Sequence, residues 1–122
     1  MANSYDENMN IEFRNASGVI KSPWYPHRIP YELVNRCHWK ILAPKGKVVR
    51  IEFLSFRVYY IHVEIADRIN GLYPRIVKFS GKLPSFTFYS TGHELSIMVK
   101  GYESNSGGGF IANYSSIPAG ED

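Results

Sequence analysis

The 122-residue sequence contains a single cysteine, Cys37. No disulfide can close within the chain, so the sequence is not a cysteine-stapled scaffold, and its stability must come from packing. Long apolar runs are also missing. No stretch approaches the roughly 20 residues of a membrane-spanning helix, so direct membrane insertion by this chain is not expected. The start, "MANSYDENMN", is polar and acidic and unlike a secretory leader. It suits either a cytosolic protein or a mature ectodomain behind a new methionine. There are no internal repeats, no low-complexity linker and no window with helical spacing. The expected organisation is one domain over 9–117 with flexible tails at 1–8 and 118–122.

Acidic residues are scarce in that body. Residues 10–117 hold all 14 Lys and Arg against seven acids, while Asp6, Glu7, Glu121 and Asp122 fall in the expected tails. A folded body near +7 favours acidic partners such as sulfated glycans, acidic proteins or phosphate backbones. A simply well-solvated surface has the same composition. No nucleic-acid fold or base-stacking motif accompanies the charge, so nucleic acid is not an expected partner.

Catalytic and metal-binding sets are absent as well. His27, His38, His62 and His93 stand at no metal-ligand spacing from one another, from Cys37 or from a carboxylate. Ser90 and His93 lie close in "YSTGHE", but the segment reads as a hairpin turn with no strained elbow or oxyanion-hole signature. The run Gly107-Gly108-Gly109 is followed by neither a P-loop Lys-Ser/Thr nor a helix, and reads as a flexible loop. No enzyme activity and no cofactor are expected of this chain.

What the sequence does have is aromatic and aliphatic residues at a period of two. Hydrophobic residues make up 44% of the chain, and 15% are Phe, Trp or Tyr. "CHWKILA" places Cys37, Trp39, Ile41 and Ala43 on one side. "YIHVEIA" turns Ile61, Val63 and Ile65 inward and Tyr60, His62 and Glu64 outward. "SFTFYS" buries Phe86 and Phe88, and "ELSIMVK" buries Leu95, Ile97 and Val99. "GFIANYS" buries Phe110, Ala112 and Tyr114, leaving Ile111 and Asn113 outside. In "KVVRIEFLSFRV" the apolar phase runs through Val49, Ile51 and Phe53, then slips by one to Leu54, Phe56 and Val58. A slip of that size marks a β-bulge or a strand bending between two sheets. Turn signals at Pro44-Lys45-Gly46, Asn70-Gly71 and Ser90-Thr91-Gly92 separate the runs. Short strands at this spacing predict an all-β sandwich or barrel.

Cys37 sits on the apolar side of its strand. Burial there raises a thiol pKa and keeps the group inert, so it is not a candidate nucleophile. Two sequons occur, at Asn15-Ala16-Ser17 and Asn113-Tyr114-Ser115. Asn113 has the outward phase and Asn15 lies beside an expected turn, so both positions can carry a glycan without disturbing a core.

Taken in order, "SGVIKSPWYPHRIPYELVNRCHWKI", "VVRIEFLSF", "HVEI", "FSGKLPS", "STGHELSIMV" and "GGFIANY" resemble a CUB domain over about residues 9–117. Gly18, Ile20, Ser22, Pro23, Tyr25 and Pro26 match the opening motif of that family, Cys37, Trp39 and Ile41 follow it, and Gly109, Phe110, Ala112 and Tyr114 match the closing one. The resemblance implies an antiparallel jelly-roll β-sandwich of two sheets. It also implies an extracellular, non-catalytic recognition module of a larger secreted or membrane-anchored protein, such as a protease or a receptor.

The departures from the pattern are as informative as the matches. Members commonly carry four cysteines in two disulfides. Cys37 occupies the second position. The first falls near Met9, the third in the shortened "RVYYI" and the fourth at Ser80, and none of these is cysteine. The resemblance therefore implies no disulfide here, with Cys37 either the orphan of a lost bridge or a thiol whose partner lies outside the chain. Many members also bind calcium through a Glu and two Asp, and use it to grip a partner lysine. Those positions carry over to Tyr59, Ile61 and Tyr102. Two phenols and an isoleucine do not supply the oxygen ligands a hard cation needs, so no calcium site is expected.

The expected binding surface is aromatic and basic instead. Trp24, Tyr25, His27 and Arg28 precede the Cys37 strand, and Tyr59, Tyr60 and Tyr102 cluster at the vacated calcium end. Tyr, Trp and Arg offer large contact area with few rotors to immobilise. An extracellular protein is the expected partner, with an anionic glycan held by the basic surface as the alternative. The competing reading is that these aromatics only fill the space left by the missing loop and ion.

Overall fold

The computed structural model describes residues 9–69, 72–102 and 107–120. Eight strands are found among them: β1 (Met9–Phe13), β2 (Ser17–Lys21), β3 (Cys37–Leu42), β4 (Lys47–Ile69), β5 (Leu72–Leu83), β6 (Phe86–Tyr89), β7 (Glu94–Gly101) and β8 (Gly107–Pro118). A single 3-10 turn, Tyr31–Leu33, precedes β3. The expected turn at Asn70-Gly71 lies outside the described residues.

The 23-residue strand β4 organises the molecule. Its first half pairs with β8, from Lys47↔Pro118 to Tyr59↔Gly107, and on its other edge with β6. From Ile61 onward it pairs instead with β7, from Ile61↔Gly101 to Arg68↔Glu94, and with β5. One strand therefore belongs to two layers. The first is ordered β2-β8-β4-β6 and the second β1-β3-β7-β4-β5. Strand β5 makes the same passage, because Gly81–Leu83 return to pair with Phe56–Val58. The layers close on each other through aromatic rings. Trp39 from β3 meets Phe110 from β8 edge-on with centroids 5.6 Å apart, and Phe13 from β1 meets Tyr114 from β8 at 5.4 Å. Phe53 and Phe56 pack on Phe110 at 5.6 and 6.2 Å. Such pairs each add about 1 kcal/mol beyond the area they bury. The architecture is an all-β sandwich, one of the two all-β forms that the alternation allows and the one that the CUB resemblance implies.

The phase slip in β4 is a bulge. The register with β8 shifts between Phe53 and Ser55, so Leu54 is the extra residue. Leu54 points outward and is 45% exposed, while Phe56 and Val58 resume the buried phase. The expected inward placement of Leu54 is thus corrected, because the inserted residue leaves the ladder without joining the core. The inward sets in β3, β7 and β8 are buried as expected. Phe86 and Phe88 are only half-buried, since β6 is an edge strand. Phe86 nevertheless stacks on Phe53 at 4.8 Å and lies 4.7 Å from Phe79.

Three local expectations change. Strand β1 runs parallel to β3, with Met9 opposite Cys37, so the sheets are not wholly antiparallel. The segment 90–93 is not a hairpin turn, because β6 and β7 pair with opposite halves of β4 and the segment crosses between layers. It is pinned by the buried Asp67 carboxylate, which accepts bonds from Thr91 N and Oγ1 and pairs with Arg75 at 3.1 Å. Ser90 Oγ accepts from Val49 N and donates to Gly92 O. These bonds give Ser90 a structural role. The glycine run 107–109 is not a loop but the start of β8. A Cβ on Gly108, whose φ is +82°, would sit 1.6 Å from Arg57 O, so only glycine lets β8 approach β4 there.

Candidate recognition rim

The end of the sandwich at which β4 changes layers is built by three features. The first is the corner itself. Tyr59 is the last residue paired with β8 and Ile61 the first paired with β7, which leaves Tyr60 between them at φ +71°. On the other edge, the register with β5 jumps from Val58↔Gly81 to Val63↔Phe79, so four residues of β4 face only Ser80. Tyr59 and Tyr60 are pushed outward by this mismatch, while Ile61 is buried. A bulky residue at positive φ is an uncommon conformation, costing about 1–3 kcal/mol, that the surrounding pairing must hold in place.

The second feature is the segment 22–36, which is laid across this end and clamped at three points. Ser22 Oγ accepts from Phe110 N at 2.9 Å and its backbone N–H donates to Phe110 O. Ile29, fully buried, donates its N–H to Gly108 O at 2.9 Å. Asn35 bonds Gly101 in both directions, at 2.6 and 3.0 Å. Asn35 sits at φ +69°, a conformation its short polar side chain tolerates. Between the clamps the chain turns through Trp24 at φ +65° and a cis Tyr25–Pro26 bond. Trp24, His27 and Arg28 remain exposed and Tyr25 half-buried.

The third feature is the end of β7, where Tyr102 follows Gly101. The exposed rings at this rim are Trp24 at 59%, Tyr59 at 39%, Tyr60 at 76% and Tyr102 at 87%.

Two grooves open here and share Tyr59. One, of about 520 Å³, is lined by Tyr59, Tyr60, Tyr102, His62, Ser80 and the Gly101 backbone. The other, of about 420 Å³, is lined by Tyr25, Arg28, Arg57, Tyr59 and the Gly108-Gly109 backbone. The structure thus brings Tyr59, Tyr60 and Tyr102 together in one groove and Tyr25 with Arg28 in the next. Trp24 and His27 are on the same segment but line neither. The sequence reading passes over Arg57, although its outward phase beside the buried Phe56 is the signal that marks it. Ser80, where a cysteine would be carried over, lines the first groove.

The carried-over calcium positions fall at this end, but their side chains do not fit a hard cation. Ile61 is buried and offers no oxygen, and the phenol oxygens of Tyr59 and Tyr102 are poor substitutes for the carboxylates a calcium ion takes. Among the described residues, no group of three or more His, Cys, Asp or Glu could hold a metal ion.

Away from the rim, Cys37 is buried and its Sγ lies 3.3 Å from Leu33 O. Burial pushes its thiol pKa up to about 12. His38, on the outward face of the second layer, is shifted down by burial and then by the nearby Lys40 and Lys100 charges. Asn15 is exposed between β1 and β2, where Ala16 O accepts from Ser116 N, and so lies at the opposite end from Gly107. Asn113 is half-buried on the outward face of the first layer, opposite Val19 and Glu52.

A family model described as CUB domain matches residues 8–114. This chain belongs to the CUB domain family. Mouse membrane frizzled-related protein is 31% identical over 107 residues, covering 82% of this chain and 18% of that protein. Rat cubilin is 29% identical over 118 residues, covering 89% of this chain and 3% of that protein. Among solved structures, the full extracellular region of zebrafish Gpr126/Adgrg6 superposes with a TM-score of 0.78 at 26% identity, covering 92% of this chain and 15% of that one. The chain therefore spans less than a fifth of the length of each of these relatives. The CUB domain is a non-catalytic interaction module, and its relatives are secreted or membrane-anchored extracellular proteins. No helix among the described residues is long and apolar enough to cross a membrane.

Proposed function

We propose that this CUB domain is a calcium-independent protein-recognition module that docks an extracellular partner through the aromatic rim, as one part of a larger secreted or membrane-anchored protein. The observation that supports this most is the exposure of Tyr59, Tyr60 and Tyr102 around two adjoining grooves at a single end, with Trp24 exposed on the segment that supplies Tyr25 and Arg28. Exposed rings gathered in one place are the residues that dominate binding energy at interfaces. Rings that merely filled a vacated site would be buried instead. Glycans on Asn15 and Asn113 would stand clear of this rim.

The second reading, an anionic glycan gripped by the basic surface, draws on the excess of Lys and Arg. Its binding would fall steeply with rising salt, whereas a mainly aromatic protein interface would change little. The test is binding of the purified domain to a panel of extracellular proteins in calcium and in chelator. Binding should survive chelation and 0.5 M salt, drop with Tyr60→Ala and Tyr102→Ala, and persist with Thr87→Ala on β6. Loss of binding in chelator, with these tyrosine variants unaffected, would overturn the reading.

A further inference from the structure

Among the described residues, the groove between Tyr25 and Tyr59 holds positive charge without a carboxylate to balance it. Arg14, Arg50, Arg68 and Arg75 each lie within 4.0 Å of a carboxylate. Arg28 and Arg57, which line this groove, make no ion pair among the described residues. Arg57 stands opposite Lys82 in the β4–β5 register, and that lysine has no carboxylate within reach among them either. Glu32, in the adjacent 3-10 turn, pairs with none of the three.

The floor explains why two guanidinium groups can share a groove this size. The register partner of Arg57 on β8 is Gly109, which puts no side chain beside it. A Cβ there would meet Ser22 Oγ at 2.5 Å and Tyr25 Cδ1 at 3.6 Å. The Tyr25 ring therefore packs down onto the strand and becomes one wall, with Tyr59 as the other.

We infer that this groove receives the carboxylate of an acidic side chain from the partner protein, with the flanking tyrosines contacting its apolar neighbours; this rests on the rim being the docking surface. A guanidinium is planar and matches a carboxylate with two parallel N–H···O bonds, so two arginines facing one groove, neither in an ion pair among the described residues, favour an anion that can be forked. A volume of about 420 Å³ admits one or two side chains and no more of a chain. A sulfated glycan needs cations spaced along its length. Lys82, opposite Arg57, is a third cation beside this groove, but Lys40, Lys78 and Lys100, which a long polyanion would also need, lie in the outward phase of the second layer. The rim of this domain would thus hold an acid where its calcium-type relatives hold a lysine.

The test is selection from a displayed peptide library on the intact domain, followed by fluorescence anisotropy with the selected peptides and with a heparin oligosaccharide. Selected peptides should share an Asp or Glu beside an aromatic or aliphatic residue. Replacing that acid with its amide should weaken binding about tenfold, and Arg28→Gln and Arg57→Gln should each do the same. Arg28→Lys and Arg57→Lys should recover only part of the loss, because an ammonium cannot fork. Unchanged melting temperatures would show that the variants still fold. Peptides without an acid that depend on Tyr60 and Tyr102 but not on the arginines would overturn this inference and leave the rim reading standing. Binding of the heparin oligosaccharide that is lost in the arginine variants, or no selected peptide at all, would overturn it too. Acidic peptides that need the arginines while ignoring Tyr60 and Tyr102 would support it and narrow the rim to one groove.

Discussion

The parallel pairing of β1 with β3 can be tested with one substitution. Met9 lies opposite Cys37, and its N–H donates to Arg36 O at 2.7 Å. Neighbouring strands are about 4.8 Å apart, inside the Cα separation that a disulfide spans. Met9→Cys should therefore bridge to Cys37 on oxidative refolding. The bridge would close a loop of about 29 residues, and loop-closure entropy gives about 3.6 kcal/mol at 25 °C. Two losses offset it. Met9 is half-buried against the core, and truncating it to Cys costs about 1 kcal/mol. Cys37 Sγ must also leave its contact with Leu33 O. The net expectation is about 2 kcal/mol, or about 8 °C in Tm for a domain of this length. After reduction the variant should melt a few degrees below the parent. Thiol titration in denaturant counts free thiols, and thermal melts with and without reductant measure the gain. Two free thiols after oxidation, or a bridged protein that melts lower than its reduced form, would refute the register of β1.

Three further outcomes are expected. Asp67→Asn removes the charge that Arg75 and Thr91 converge on and leaves Arg75 without its carboxylate, so urea unfolding should show a loss of about 3 kcal/mol. Cys37 has its pKa raised from 9.0 to about 12 by burial; the thiol form is favoured in the fold, so its contribution is complete below about pH 9 and lost as pH climbs toward 12. Denaturation at pH 8 and 10.5 should then give the parent a steeper decline than Cys37→Ala, by about 1 kcal/mol per pH unit; equal slopes would show that the thiol is solvated. Finally, the melting temperature should agree within about 1 °C between 5 mM calcium and chelator, since an ion bound only by the folded state would raise it.

Much of this fold is legible in local patterns. The alternation in "CHWKILA", "YIHVEIA" and "ELSIMVK" identifies the buried face of three strands, because a half-buried strand leaves a period of two. The slip after Phe53 locates the bulge, though not the outward fate of Leu54. The partner of β1, the crossing of 90–93 between layers and the inclusion of Gly107–Gly109 in β8 are not legible, since each depends on which distant strand pairs with the segment. The rim was half visible. Tyr59, Tyr60 and Tyr102 could be placed together from the family pattern, and the exposed aromatics of 24–28 stood out by type. Arg57 could not be joined to Arg28, because only the passage of β4 beside Gly109 brings them to one groove.

By itself, the sequence determined that the chain is all-β, that its core is aromatic, that no internal disulfide forms and that carboxylates are missing from the usual calcium positions. These follow from residue type and local period, which act over a few residues. The tertiary structure decided where β4 changes partners, which glycines are compressed between strands and which cations share one groove. Those are outcomes of backbone pairing between residues far apart in the chain, and such pairing leaves no local trace.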